Sequence, residues 1–95
     1  MPNGYFPAVA LSKQGEYVVF EKQSGDAQKY GIYFMKKIGG KFTKPKRLST
    51  ESYAEVPSIA VRGSLIVVWY QSYDPKTQVY TLCRKESADN GETWK

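Results

Sequence analysis

Apolar and polar residues alternate in short runs along this chain, and no segment keeps the 3.6-residue spacing of a helix. The pattern predicts four strands in the first half, at about 7–11, 16–22, 30–37 and 41–48. Three more follow at about 57–61, 64–71 and 78–85, and a last one only begins at Thr93-Trp94-Lys95. Ser12-Lys13-Gln14-Gly15, Gln23-Ser24-Gly25-Asp26-Ala27-Gln28 and Gly39-Gly40 supply the polar turns. The run Leu65-Ile66-Val67-Val68-Trp69-Tyr70 is almost continuously apolar, which suits a strand covered on both faces. Pro7 and Pro57 fall at strand starts, where a missing N–H is tolerated.

The two halves match each other. Phe6-Pro7-Ala8-Val9-Ala10-Leu11 aligns with Val56-Pro57-Ser58-Ile59-Ala60-Val61, and Tyr17-Val18-Val19-Phe20-Glu21 with Ile66-Val67-Val68-Trp69-Tyr70. Ile32-Tyr33-Phe34-Met35-Lys36-Lys37 aligns with Tyr80-Thr81-Leu82-Cys83-Arg84-Lys85, so the offset runs from 48 to 50 with indels confined to turns. A period of this size built from short strands points to propeller blades. The expected fold is all-β: two four-stranded antiparallel meander blades of a β-propeller, residues 1–50 and 51–95, the second lacking most of its outer strand.

The C-terminal octet Ser87-Ala88-Asp89-Asn90-Gly91-Glu92-Thr93-Trp94 has the form S-x-D-x-G-x-T-W. Asp and Asn tolerate tight turns, and Gly takes the positive φ that such turns demand. Ser87 and Asp89 can bond turn amides that no ladder satisfies, while Trp94 folds back beneath the turn as an apolar anchor. This octet resembles the Asp-box of sialidases and the wider family of BNR-repeat β-propellers. The first unit keeps only a degenerate version, Ile38-Gly39-Gly40-Lys41-Phe42, with the glycines and an aromatic but neither Ser nor Asp. A structural role is expected for Ser87, Asp89, Gly91, Thr93 and Trp94. Asp89 and Asn90 offer too few oxygens for a calcium loop.

The resemblance also implies where a ligand would bind. In a meander, the turns joining first to second and third to fourth strands share one end with the box. The second-to-third loops and the connections between units share the other, where propellers of this family bind ligands. Tyr5, Asp26, Tyr53, Glu55, Tyr73 and Asp74 are the candidates there, with Phe6, Ser24 and Ser72 beside them. They also read as ordinary polar loop tips. Sialidase chemistry would require three convergent arginines, a Tyr paired with a Glu, and an acidic Asp. Only Arg47, Arg62 and Arg84 exist, and Tyr5 and Glu55 occupy the places before the prolines where the family carries arginine. Glu55 and Asp74 could form a glycosidase carboxylate pair, but no catalytic residue is assigned.

Other chemistry is limited by inventory. The chain of 95 residues contains no His, so the commonest zinc ligand and general base are missing, and no metal or cofactor is expected. Cys83 cannot form an internal disulfide and reads as a small buried hydrophobe. A net charge of +5 admits an anionic partner, and Lys41, Lys44, Lys46 and Arg47 could form a nucleic-acid stripe. The same four charges suit an outer strand protected against edge pairing. No segment has the length and apolarity of a membrane-spanning helix, and Met1-Pro2-Asn3-Gly4 does not open a signal peptide. An extracellular setting is implied by the resemblance alone. The expected function is that of a non-catalytic propeller fragment or a self-assembling scaffold, either of which could bind a glycan. The alternatives are part of a glycoside hydrolase completed by further blades, or a small basic domain on nucleic acid. Two blades cannot close a ring, so a homo-oligomer is expected, and six blades, as in sialidases, would mean a cyclic trimer.

Overall fold

The computed structural model describes residues 5–12, 15–23, 30–51 and 53–95. Its strands are β1 (Tyr5–Ser12), β2 (Gly15–Gln23), β3 (Tyr30–Ile38), β4 (Lys41–Phe42), β5 (Lys46–Arg47), β6 (Ala54–Arg62), β7 (Leu65–Asp74) and β8 (Val79–Ser87). The described residues contain no helix. One antiparallel sheet runs β1-β2-β3, with β4 and β5 both paired to β3, and a second runs β6-β7-β8. Among the described residues neither sheet closes on itself.

The expected outer strand of the first unit is present but interrupted. Pro45 has no N–H to give to the ladder, and the chain leaves β3 between β4 and β5. Thr43 holds the break in place: its amide donates to the Lys36 carbonyl at 2.8 Å, and its hydroxyl accepts the Lys36 amide at 3.1 Å. Leu48 then donates to the Ile32 carbonyl at 2.8 Å. In the second unit the outer strand only begins, with Glu86 and Lys95 exchanging a pair of backbone bonds at 3.0 Å each.

The two sheets are built on one register, and it corrects the sequence alignment. Ala8 faces Val19 and Gln23 faces Tyr30 in the first sheet; Ser58 faces Trp69 and Tyr73 faces Tyr80 in the second. Every pair across the three main strands whose counterpart lies among the described residues repeats at an offset of 50, with no slippage to 49 or 48. Tyr17 is therefore equivalent to Val67, and Ile32 to Leu82. A one-residue slip exchanges the two faces of a strand. Sequence matching missed it because both faces of these strands are apolar, so a shifted alignment scores as well. Even the irregularities repeat, with an extra residue on the first strand between Tyr5 and Ala8, and again between Glu55 and Ser58. These bulges surround Pro7 and Pro57, and Val56 takes a φ of 53° there.

The core lies between the sheets. Tyr17, Val19, Ile32 and Phe34 of the first are buried against Ile66, Val68 and Tyr70 of the second, with Leu48 and Ala54 closing the layer. Burying each large side chain contributes roughly 1.5–3 kcal/mol. The equivalents of Ile66, Val68 and Tyr70 in the first unit are Glu16, Val18 and Phe20, which lie on the face away from this core. Each unit thus meets the other with a different face. The stack is front to back, as in a repeat array.

Candidate functional site

The two ends of the molecule differ in kind. At one end the chain turns from β8 through residues 88–94. The Ser87 hydroxyl donates to Asp89 Oδ1 at 2.7 Å and accepts the Gly91 amide at 2.8 Å. Asp89 also accepts the Thr93 amide on Oδ1 at 2.9 Å and the Thr93 hydroxyl on Oδ2 at 2.6 Å. The Thr93 hydroxyl, then its amide, then the Ser87 hydroxyl hold the Asp89 carboxyl well below the usual aspartate range. Asn90 and Gly91 take φ values of 61° and 89°. The Trp94 indole N–H donates to the Gly91 carbonyl at 3.0 Å, which folds the ring back under the turn. The polar groups of Ser87, Asp89, Thr93 and Trp94 all serve the turn itself.

The sequence did not show that this turn joins the two units. The Trp94 ring meets Phe34 of the first sheet edge-on at 4.9 Å, and the Gly91 backbone presses against the same ring. Lys36 Nζ donates to the Asn90 carbonyl at 3.0 Å and to Glu92 Oε1 at 3.1 Å. Lys46 Nζ donates to the Glu92 carbonyl at 2.8 Å. Lys46 is one of the four cations of the candidate nucleic-acid stripe, and it also serves this junction. Arg47, another of the four, donates to the carbonyls of Ser49 and Glu51 at 2.8 and 3.0 Å.

At the opposite end, the connection before β6 and the turn between β7 and β8 enclose a cleft of about 380 Å3. It brings together the candidates Tyr53, Tyr73 and Asp74, with Ser72 beside them. The Tyr73 amide donates to the Tyr53 carbonyl at 2.8 Å, which ties the two segments. Tyr73 leans on Tyr80 with ring centroids 4.8 Å apart, and Tyr30 meets the Tyr53 ring edge-on at 5.8 Å. Asp74 Oδ1 accepts the Lys76 amide at 2.9 Å and shapes the turn. Glu55 is not brought into the cleft: Oε1 accepts Gln71 Nε2 at 3.1 Å. Tyr5 is placed by its backbone alone, opposite Glu21. Asp26, and Ser24 beside it, lie outside the described residues.

Sequence reasoning missed Glu51, which lines this cleft from the inter-unit connection. Its carboxylate accepts the Tyr70 hydroxyl at 2.8 Å and the Thr50 amide at 3.2 Å. Burial alone would raise the Glu51 carboxyl, but these donors and the nearby Lys85 outweigh it and hold it low. Cys83 points its Sγ at Glu51 Oε2 (3.7 Å) and Ser72 Oγ (3.6 Å), and is half-buried rather than enclosed. The available signal for Glu51 was its position in the same connection as Tyr53.

Tyr70 and Glu51 form a Tyr–Glu pair, but its electrostatics oppose nucleophilic chemistry. Tyr70 is 1% exposed, and burial followed by the hydrogen bond and charge of Glu51 drives its phenol far upward. The hydroxyl keeps its proton and acts as a donor. The arginines do not converge either: Arg47 caps the Ser49–Glu51 segment, Arg62 ends β6 beside the far turn, and Arg84 pairs with Glu86 at 3.5 Å. Among the described residues no group of three or more His, Cys, Asp or Glu side chains is placed to hold a metal ion. Comparison with known protein families, curated proteins and solved structures returns no match.

Proposed function

We propose that the chain forms two adjacent blades of a sialidase-like Asp-box β-propeller and serves as a non-catalytic scaffold that binds a neutral glycan. The observation that carries this reading is the cleft at the end away from the turn. It presents Tyr53 and Tyr73 beside Ser72, Asp74 and Thr81. Tyrosine supplies an apolar platform with a polar tip, and short oxygen-bearing side chains supply directional bonds, the mixture that recognises a sugar ring. Lys76 is the one cation among the described residues of that lining and is matched there by Glu51 and Asp74, so the cleft does not favour an anionic ligand. The internal repeat and the bonded S-x-D-x-G-x-T-W turn support the architectural half of the reading.

A glycan array probed with the purified chain tests it. Binding to uncharged glycans, lost in Tyr73→Ala and retained in Asp89→Asn, is the expected result. Silence across the array would reject the reading. Hydrolysis of a fluorogenic sialoside would replace it with a catalytic one, and oligonucleotide binding that collapses with salt would replace it with a nucleic-acid one.

A further inference from the structure

We infer that the chain associates head to tail with a second copy of itself, through the two faces that its own internal junction leaves open. Inside the chain, Ile59, Val61 and Trp94 of the second unit are partly buried against the core between the sheets, which includes Ile32. The equivalents of Ile59 and Val61 are Val9 and Leu11. These stand 62% and 72% exposed. Phe42 precedes the residue paired with Lys36 as Trp94 precedes the one paired with Glu86, and it is 49% exposed. The first unit thus displays, uncovered, the apolar counterparts of three side chains that the second unit partly buries.

The receiving face is open as well. Leu82 stands where Ile32 stands in the first unit, and is 75% exposed where Ile32 is fully buried. Trp69 and Tyr80, on the same face, correspond to Val19 and Tyr30. The donor face lies on the first unit and the acceptor on the second. A second copy can therefore stack in the sense of the internal junction, with Glu16 of one copy and Arg84 of the other at the places of Ile66 and Phe34. Exposed apolar patches of this kind mark interaction sites, and this occupant carries the matching counterpart. Such a contact is heterologous, so it builds a ring or a filament rather than a two-fold dimer.

The inference rests on two like units stacked in one sense, and extends the scaffold reading to its assembly. Sedimentation of the chain and of two single variants, Leu11→Asp and Leu82→Asp, tests it. Both sites are already exposed, so circular dichroism should show each variant folded; Val9→Lys and Tyr80→Lys provide a second pair. The expected result is a mass above the 10.8 kDa monomer for the parent. Each variant alone should be monomeric, and an equimolar mixture should form a one-to-one dimer, because each retains the face that the other has lost. A parent that stays monomeric at millimolar concentration overturns the proposal. Self-association of either variant alone, or a mixture that remains monomeric, overturns it equally. A monomer that still binds glycan would remove the assembly and leave the proposed function standing.

Discussion

Replacing Gly91 by alanine isolates the contact through which the C-terminal turn grips the first unit. Gly91 has a φ of +89°, and a methyl built there lies 2.6 Å from Cε2 and 2.7 Å from Cζ of Phe34. Phe34 has little room to withdraw: it is 3% exposed, stacked on Tyr17 at 5.9 Å and edge-on to Trp94 at 4.9 Å. The left-handed backbone costs an alanine roughly 1–2 kcal/mol, and overpacking the ring adds roughly 1–3 kcal/mol. Gly91→Ala should therefore lose about 2–5 kcal/mol. Gly40 provides the control, with a φ of +83° and no atom within 4 Å of the place a methyl would take. Gly40→Ala should lose only the backbone share, roughly 1–2 kcal/mol. Urea unfolding at unchanged m-value measures both. In a Phe34→Leu background the penalty at Gly91 should shrink, since the two sites share one contact. Equal losses at Gly91 and Gly40, or strict additivity with Phe34→Leu, would refute the inter-unit contact.

Two further predictions follow from ionisation, with opposite signs. The Asp89 carboxyl is held below its ordinary range, first by the Thr93 hydroxyl, so its contribution is complete above the unfolded value near 4 and drains away as pH falls below it. Asp89→Asn should lower the urea midpoint at pH 7 and converge with the parent toward pH 2; a gap that does not narrow would count against the turn bonds. Glu21 is pushed the other way: it is buried, and the charge of Glu55 adds to the desolvation against which the Val56 amide works. The folded chain then holds that proton more tightly than the unfolded one, so this group stabilises at low pH and the benefit is lost as pH rises through the folded value. Glu21→Gln, which keeps an oxygen for Val56, should raise the melting temperature at pH 7 by more than at pH 4, and an equal or reversed difference rejects the burial argument.

The strands were legible because turns in this chain carry Gly, Asn, Asp or Pro while strands carry Val, Ile and Tyr. Pro45 marked a break that the strand expected at 41–48 ran through, since Thr43 can replace a ladder bond with its hydroxyl and periodicity does not register that substitution. The polar bonds of the C-terminal turn were legible from Ser87, Asp89 and Gly91, all within a few residues of one another. The Thr93 hydroxyl bond was not, because Thr93 reads as the start of a strand. Nor were the partners of the turn: Phe34, Lys36 and Lys46 lie more than 40 residues away, and no local pattern marks them. The cleft was legible only as an end of the meander. Tyr53 and Tyr73 reach it because Tyr73 donates to the Tyr53 carbonyl, whereas Glu55, two residues on, is drawn aside by Gln71.

What hid the register also accounts for the stacking. A sheet with one face in water alternates cleanly between apolar and polar residues, and such alternation would have exposed a one-residue slip at once. In β2, Tyr17 and Val19 face the internal junction while Val18 and Phe20 face away from it. In β7, Ile66, Val68 and Tyr70 face the junction while Val67 and Trp69 face away. Apolar residues on both sides of a central strand are wasted on an isolated two-layer sandwich, which can bury one face of each sheet and no more. They suit a unit that expects a neighbour on either side. The internal junction satisfies one face of each unit, so two apolar faces remain, and they lie at opposite ends of the stack. If the parent chain were a stable monomer, Leu11→Lys and Leu82→Lys should leave solubility and midpoint unchanged. If those faces are meant to be covered, both substitutions should raise the concentration at which the chain stays monodisperse. Light scattering across a concentration series distinguishes the outcomes, and an unchanged profile for both variants would mean that the two-sided apolar pattern has no neighbour to serve.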